Sequence, residues 1–176
     1  MVIVWLNGAF GAGKSTTAKA LVALSQRLRL FDPEWVGYLL RANLSDHEFT
    51  DFQQLAPWRT LVPLVAAEIA DFTGQDLVAV QTVLDQGFWA ELRAGMTGLG
   101  HRVVHVLLDA PADVLHARID ADPDGFDIRG WRHAHVGPYA EARPWLTAAA
   151  DQVVDVGEAT PDEAATQILD HLDFTG

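Results

Sequence analysis

Residues 8 to 16 read GAFGAGKST, and a glycine followed after four residues by Gly-Lys-Ser is the spacing of a phosphate-binding loop. Glycines let the backbone curl until several N–H groups point at one centre, and the helix that follows adds its positive end to the same spot. Gly8, Ala9, Phe10, Gly11, Ala12 and Gly13 would form the cradle, with Lys14, Ser15 and Thr16 opening the helix. Lys14 then reaches the β and γ phosphates as a point charge, and the Ser15 hydroxyl is placed to ligate Mg²⁺. The ligand this predicts is a nucleoside triphosphate.

Phosphoryl transfer asks a protein for alignment, charge neutralisation and at most one base. Asp32 is the candidate base, because it directly follows the second apolar run, at the sheet edge where ligands bind in open α/β folds. Its alternative role is to cap the helix that Pro33-Glu34 opens. Trp35, Tyr38 and Arg41 follow at spacings of three, on one helical face that either lines an acceptor pocket or, for the two aromatics, enters the core. Arg118, Arg129 and Arg132 are candidate phosphate clamps, with Arg118 on the nucleotide and Arg129 and Arg132 acting on the transferred charge. The third apolar run ends in Gln81-Thr82, where an acidic Mg²⁺ partner would stand. Asp32 or Asp85 must supply that carboxylate, or the ion relies on Ser15, phosphates and water. Neither His101 with His105 nor His133 with His135 has the spacing of a zinc motif, and there is no cysteine.

Five apolar runs must position these groups: Val2 to Leu6, Leu28 to Phe31, Leu77 to Gln81, Val103 to Leu108 and Val153 to Val156. Alternating with helical patterns, they predict a parallel sheet covered on both faces, an α/β three-layer sandwich. Helices are expected at Ser15 to Arg27, Glu34 to Leu44, Pro57 to Phe72, Asp85 to Leu99 and Ala112 to Ile119, with a last one opening at Thr160. Asp120 to Arg143 carries turn signals and clustered basic residues without a long apolar run, and reads as a mobile lid loop over the nucleotide.

Composition narrows the partners. A chain of 176 residues, 49% hydrophobic, suits one domain spanning 1–176. Its formal charge of −12, from 12 basic and 24 acidic residues, argues against a nucleic-acid partner. No apolar run is long enough for a membrane span and no basic stretch precedes an apolar one at the start, so a cytoplasmic location is expected.

The stretches WLNGAFGAGKSTTA, FDPEWVGYLLR, DFQQLAPWR and VVHVLLDAPADVLHARI resemble the tunicamycin-resistance ATP-binding family of small P-loop kinases. Chloramphenicol phosphotransferases and nucleoside-monophosphate kinases look like more distant relatives. The resemblance implies strand order 2-3-1-4-5 with ATP and Mg²⁺ as ligands, and the loop spacing together with the strand-end reading makes Ser15 and Asp32 the expected metal residues. It also places Gln53, Trp58 and Arg59 beside Arg41 on the acceptor side, and the loop from Gly157 to Thr160 beside the adenine. The expected function is phosphorylation of tunicamycin or a related nucleoside. Two rivals stay open: a metabolic kinase on the same scaffold, and a nucleotide-dependent protein that binds the drug without chemistry.

Overall fold

Strand β1 (Val2–Gly8) is apolar from Val2 to Leu6 because it is the middle strand, sealed by neighbours on both edges and helices on both faces. It pairs with β3 (Asp76–Val80) on one side and β4 (Arg102–Asp109) on the other. Strand β2 (Leu28–Phe31) lies outside β3 and β5 (Gln152–Asp155) outside β4, giving the order β2-β3-β1-β4-β5, all parallel, as expected. This computed structural model describes residues 1–123 and 128–174.

Alternation along β1 divides the core. Val4 and Leu6 face a cluster built with α1 (Lys14–Leu24), α5 (Ala112–Ala121), α7 (Val136–Ala149) and α8 (Pro161–Phe174). Ile3 and Trp5 face the other, built with α2 (Glu34–Asn43), α3 (Ala56–Thr73) and α4 (Gln86–Gly98). The helix starts have chemical causes. Asp85 accepts from the Phe88 amide at 2.8 Å to open α4, and Thr160 with Glu163 forms a reciprocal cap on α8.

The segment expected as a loop from Asp120 to Arg143 is mostly helical instead. It holds the end of α5, then α6 (Arg129–Ala134), and runs into α7. Val136, Tyr139, Ala142 and Leu146 are all buried, a spacing of three and four that plants α7 on the sheet. Residues 124–127 of the expected turn lie outside the described residues.

At the carboxyl edge, Asn7 is fully buried and joins two loops. Its Oδ1 accepts from the Gly8 amide at 2.9 Å and the Val83 amide at 3.0 Å, while Nδ2 donates to the Val83 carbonyl at 3.0 Å. Nδ2 also stands 3.4 Å from His105 Nε2. Burial pushes the His105 imidazole down to about 4, so at neutral pH that nitrogen is a lone-pair acceptor. Asn7→Leu would fill the space but orphan three backbone groups, and is expected to cost about 2 to 4 kcal/mol in urea unfolding. A loss under about 0.5 kcal/mol would show that water replaces the clamp.

Candidate functional site

The loop between β1 and α1 takes its shape from glycines that no other residue replaces. Gly8, Gly11 and Gly13 have φ of 143°, 83° and 81°, and a Cβ on Gly8 would lie 2.5 Å from the Leu108 carbonyl oxygen. Gly13 caps α1 without any side-chain acceptor, so the first-turn amides of Lys14, Ser15 and Thr16 are open to an anion. Ala9, Phe10, Gly11 and Ala12 form the arc between.

Lys14 is folded over this arc, its Nζ donating to the Gly8 carbonyl at 2.9 Å and the Ala9 carbonyl at 2.8 Å. Burial pushes its ammonium down to about 7, opposed by the charge of Glu34 and reinforced by that of Arg132. A desolvated cation held by two neutral carbonyls fits a site made for an anion. Glu34 itself is raised, first by desolvation and then by Asp32, with the Tyr38 hydroxyl and Lys14 pulling the other way. Glu34 at the start of α2 and Arg132 of α6 therefore both act on Lys14, with opposite sign.

Asp32 ends β2 with Oδ1 accepting from the Glu34 amide at 2.9 Å, which makes it the cap of α2. The second oxygen is left for another role. Asp85, the alternative carboxylate, is exposed and committed to α4. Thr82 donates through its hydroxyl to the Gly8 carbonyl at 2.8 Å, so the strand end where an acid was missed braces the phosphate loop. Ser15 and Asp32 remain the residues able to hold Mg²⁺, with Glu34 beside them.

The acceptor-side candidates divide. Trp58 has no exposed surface, and its indole N–H donates to the Pro33 carbonyl at 3.1 Å; it is a core residue that fixes the start of α2, not a ligand contact. Arg59 is also held inside the fold, paired with Glu91 at 2.7 Å, donating to the Gln53 carbonyl, and 4.2 Å from the Phe88 ring centre. Gln53 donates to the Thr82 carbonyl at 2.8 Å, tying its 3-10 turn (Phe52–Gln54) to the loop that braces Gly8. Arg41 is exposed and lies over the Phe52 ring at 4.8 Å. Trp35 and Tyr38, 70% and 48% exposed, stand in edge contact beside it, on the open face of α2.

On the nucleotide side, Arg118 donates to the Val156 carbonyl at 2.7 Å and reaches the Gly157 carbonyl at 3.3 Å, holding the loop after β5. Arg129 and Arg132 on α6 both engage Asp122, through its backbone and side chain respectively. The Arg132 Nε is buried with no acceptor among the described residues. Phe10 of the phosphate loop packs against Trp131 at 4.8 Å and His135 at 5.7 Å, so α6 already rests on the loop.

Three groups escaped the sequence reading. Glu34 was visible only as part of a helix start. Asp109, at the end of β4, accepts from the Tyr139 hydroxyl at 2.6 Å and is gripped by Arg143 at 2.6 and 2.9 Å. These contacts hold its carboxyl below the usual range, while burial and Asp109 push the Tyr139 hydroxyl well up. Arg143 therefore pins α7 to the carboxyl edge.

Because Lys14 is near neutrality's midpoint before an anion arrives, a bound phosphate should restore its proton. Calorimetry with ADP at about pH 8, in buffers of different ionisation enthalpy, is expected to show uptake approaching one proton, with affinity falling as pH rises above about 7. Lys14→Ala should abolish the uptake. Equal proton exchange in both proteins would place the titration elsewhere.

Comparison with known proteins agrees with this geometry. The structure is similar to the tunicamycin resistance protein of Deinococcus radiodurans, with a TM-score of 0.79 and 24% identity over 97% of this chain and 94% of that one. It is also similar to the Mycobacterium tuberculosis APS kinase CysC, solved with AMPPNP and APS, at a TM-score of 0.60 and 21% identity over 97% and 96% of the chains. A gluconokinase from Sinorhizobium meliloti 1021 matches at a TM-score of 0.64 and 16% identity over 98% and 96%. No curated protein sequence matches. A family model described as an AAA domain matches residues 3–122, more than half of the sequence and all of the phosphate loop with β1 to β4, and the chain belongs to that family.

Proposed function

We propose that this protein is an ATP-dependent phosphotransferase whose acceptor is tunicamycin or a related nucleoside. The observation that carries the reading is the desolvated Lys14 ammonium, folded onto the loop carbonyls and acted on by the opposed charges of Glu34 on α2 and Arg132 on α6. The structural likeness to a tunicamycin resistance protein and to small-molecule kinases supports it.

ATP with Mg²⁺ would supply the activated phosphoryl group. The loop amides and Lys14 hold the phosphates, Arg118 and the loop after β5 bound the base, and Ser15 with Asp32 are the residues for the metal. Asp32, whose Oδ1 is taken by α2, has Oδ2 to accept the proton of an acceptor hydroxyl, and so meets the metal only through water. Arg41 and the exposed face of α2 receive the acceptor, with Gln53 behind them. Arg129 and Arg132 neutralise charge as it builds in transfer. Residues 1–176 act as one cytoplasmic domain in this reading, with 120–143 as its lid.

The sequestering alternative draws on one observation: Thr82, where an acidic residue would hold the metal, is committed to the Gly8 carbonyl. Incubation with Mg-ATP and tunicamycin, followed by mass spectrometry, separates the two. The proposal expects drug bearing one added phosphoryl group. Unmodified drug held tightly by the protein would favour sequestration.

Asp32→Asn is expected to lower turnover by about 10² to 10⁴ while leaving nucleotide and acceptor binding intact. Stability should hardly change, since asparagine caps a helix about as well as aspartate. Unchanged single-turnover transfer would reduce Asp32 to a cap and shift the base to Glu34.

A further inference from the structure

Helix α6 rests on the phosphate loop through Trp131, and on its opposite side it meets α5 through a pair of histidines. His133 Nδ1 lies 2.6 Å from His116 Nδ1, with the rings near-parallel at 25° and 4.9 Å apart. The other nitrogen of His133, Nε2, is 2.9 Å from the Asp120 carboxylate. That carboxylate accepts only, so Nε2 carries a proton and a neutral His133 offers Nδ1 as a lone pair. His116 Nδ1 must then donate. Two nitrogens at this separation have room for one proton between them and no room for two.

We propose that His116 and His133 form a single-proton latch that positions the α6 arginines over the phosphate loop and releases them when a second proton, taken from solvent, enters the pair. His116 is thus a positioning residue acting through α6. The charges around the pair favour this outcome. On α5, Asp120 stabilises a charged His133, and beyond the helix end Asp122 is occupied by Arg132. On α6, Arg129 and Arg132 add positive charge, and Arg132 lies close enough to bear on Lys14 of α1. On α7, which packs against both helices, Glu141 is exposed, Arg143 is held by Asp109, and His135 at its start stacks on Trp131 at 4.1 Å. Of the other charged groups on α5, Arg118 is held by the Val156 carbonyl and Asp113 is exposed one turn before His116. A second proton inside the latch therefore meets like charge on α6, and Asp120, the carboxylate in contact among the described residues, is already bonded on the far side of His133.

The test is amide hydrogen exchange of the nucleotide-free protein at about pH 7.5 and about pH 5.5, after correction for intrinsic rates, comparing residues 129–139 with α3 as an internal reference. The wild type should lose about tenfold protection in that segment at the lower pH, with α3 unchanged. His116→Asn is the deciding variant. Its amide can present an N–H or a carbonyl oxygen to His133, so it keeps the contact through protonation, and protection should stay high at both pH values. His116→Leu should be unprotected at both. Wild-type pH dependence retained in His116→Asn, or equal protection of all three proteins, would overturn the latch. The lid role rests on the phosphotransferase reading, but the exchange measurement does not. If transfer is absent and exchange behaves as expected, that reading fails while the latch stands.

Discussion

Everything at the carboxyl edge depends on one buried amide. Asn7 is the last residue before the phosphate loop, and it holds the Gly8 amide and both polar groups of Val83 in the same plane of the fold. A buried polar side chain survives only if its donors and acceptors are matched, and Asn7 is matched by the backbone of Gly8 and Val83. The Gly8 carbonyl then receives the Thr82 hydroxyl and the Lys14 ammonium. Lys14 in turn senses Glu34 and Arg132. The chain of contacts runs from a core strand to both walls of the site without passing through a mobile surface group.

The electrostatics are economical in an acidic protein. Of its 12 basic residues, Lys14, Arg118, Arg129, Arg132 and Arg143 all stand at the carboxyl edge or on the helices above it. Arg118 and Arg143 fix the frame, one to the loop after β5 and the other to Asp109. Exposed ion pairs contribute little to stability, whereas those gripping a half-buried carboxylate shape a site. A small anionic ligand thus meets local positive charge in a chain whose formal net charge is −12.

The phosphate loop was legible because its spacing encodes a backbone shape, and the strands because central parallel strands must be apolar throughout. Helix α7 was hidden by the turn signals of Asp120 to Arg143, Gly137-Pro138 among them, although that proline falls in the opening turn and a further one, Pro144, is accommodated inside the helix. On α2, a spacing of three identified a face but not its direction: Val36 and Gly37 go inward, leaving Trp35 and Tyr38 outside. Trp58 shows the reverse error, since the resemblance put it on the acceptor side, whereas its indole is bonded to a backbone carbonyl in the core. Asp109 with Tyr139 and Arg143 joins residues 30 or more apart, and no local pattern announces such a pairing.

Gly37 draws these threads to a different kind of consequence. It sits mid-helix, where glycine costs about 1 kcal/mol relative to alanine, and a Cβ there would lie 2.2 Å from the Phe52 ring. The missing methyl is therefore a socket, and Phe52 is the plug that seats the 3-10 turn against α2. Since Gln53 of that turn is bonded to the Thr82 carbonyl, the socket sets how the turn sits relative to the strand end that braces the phosphate loop. The spacing between α2 and that turn is thus written into an atom the sequence omits, and a side chain at position 37 would push the two apart.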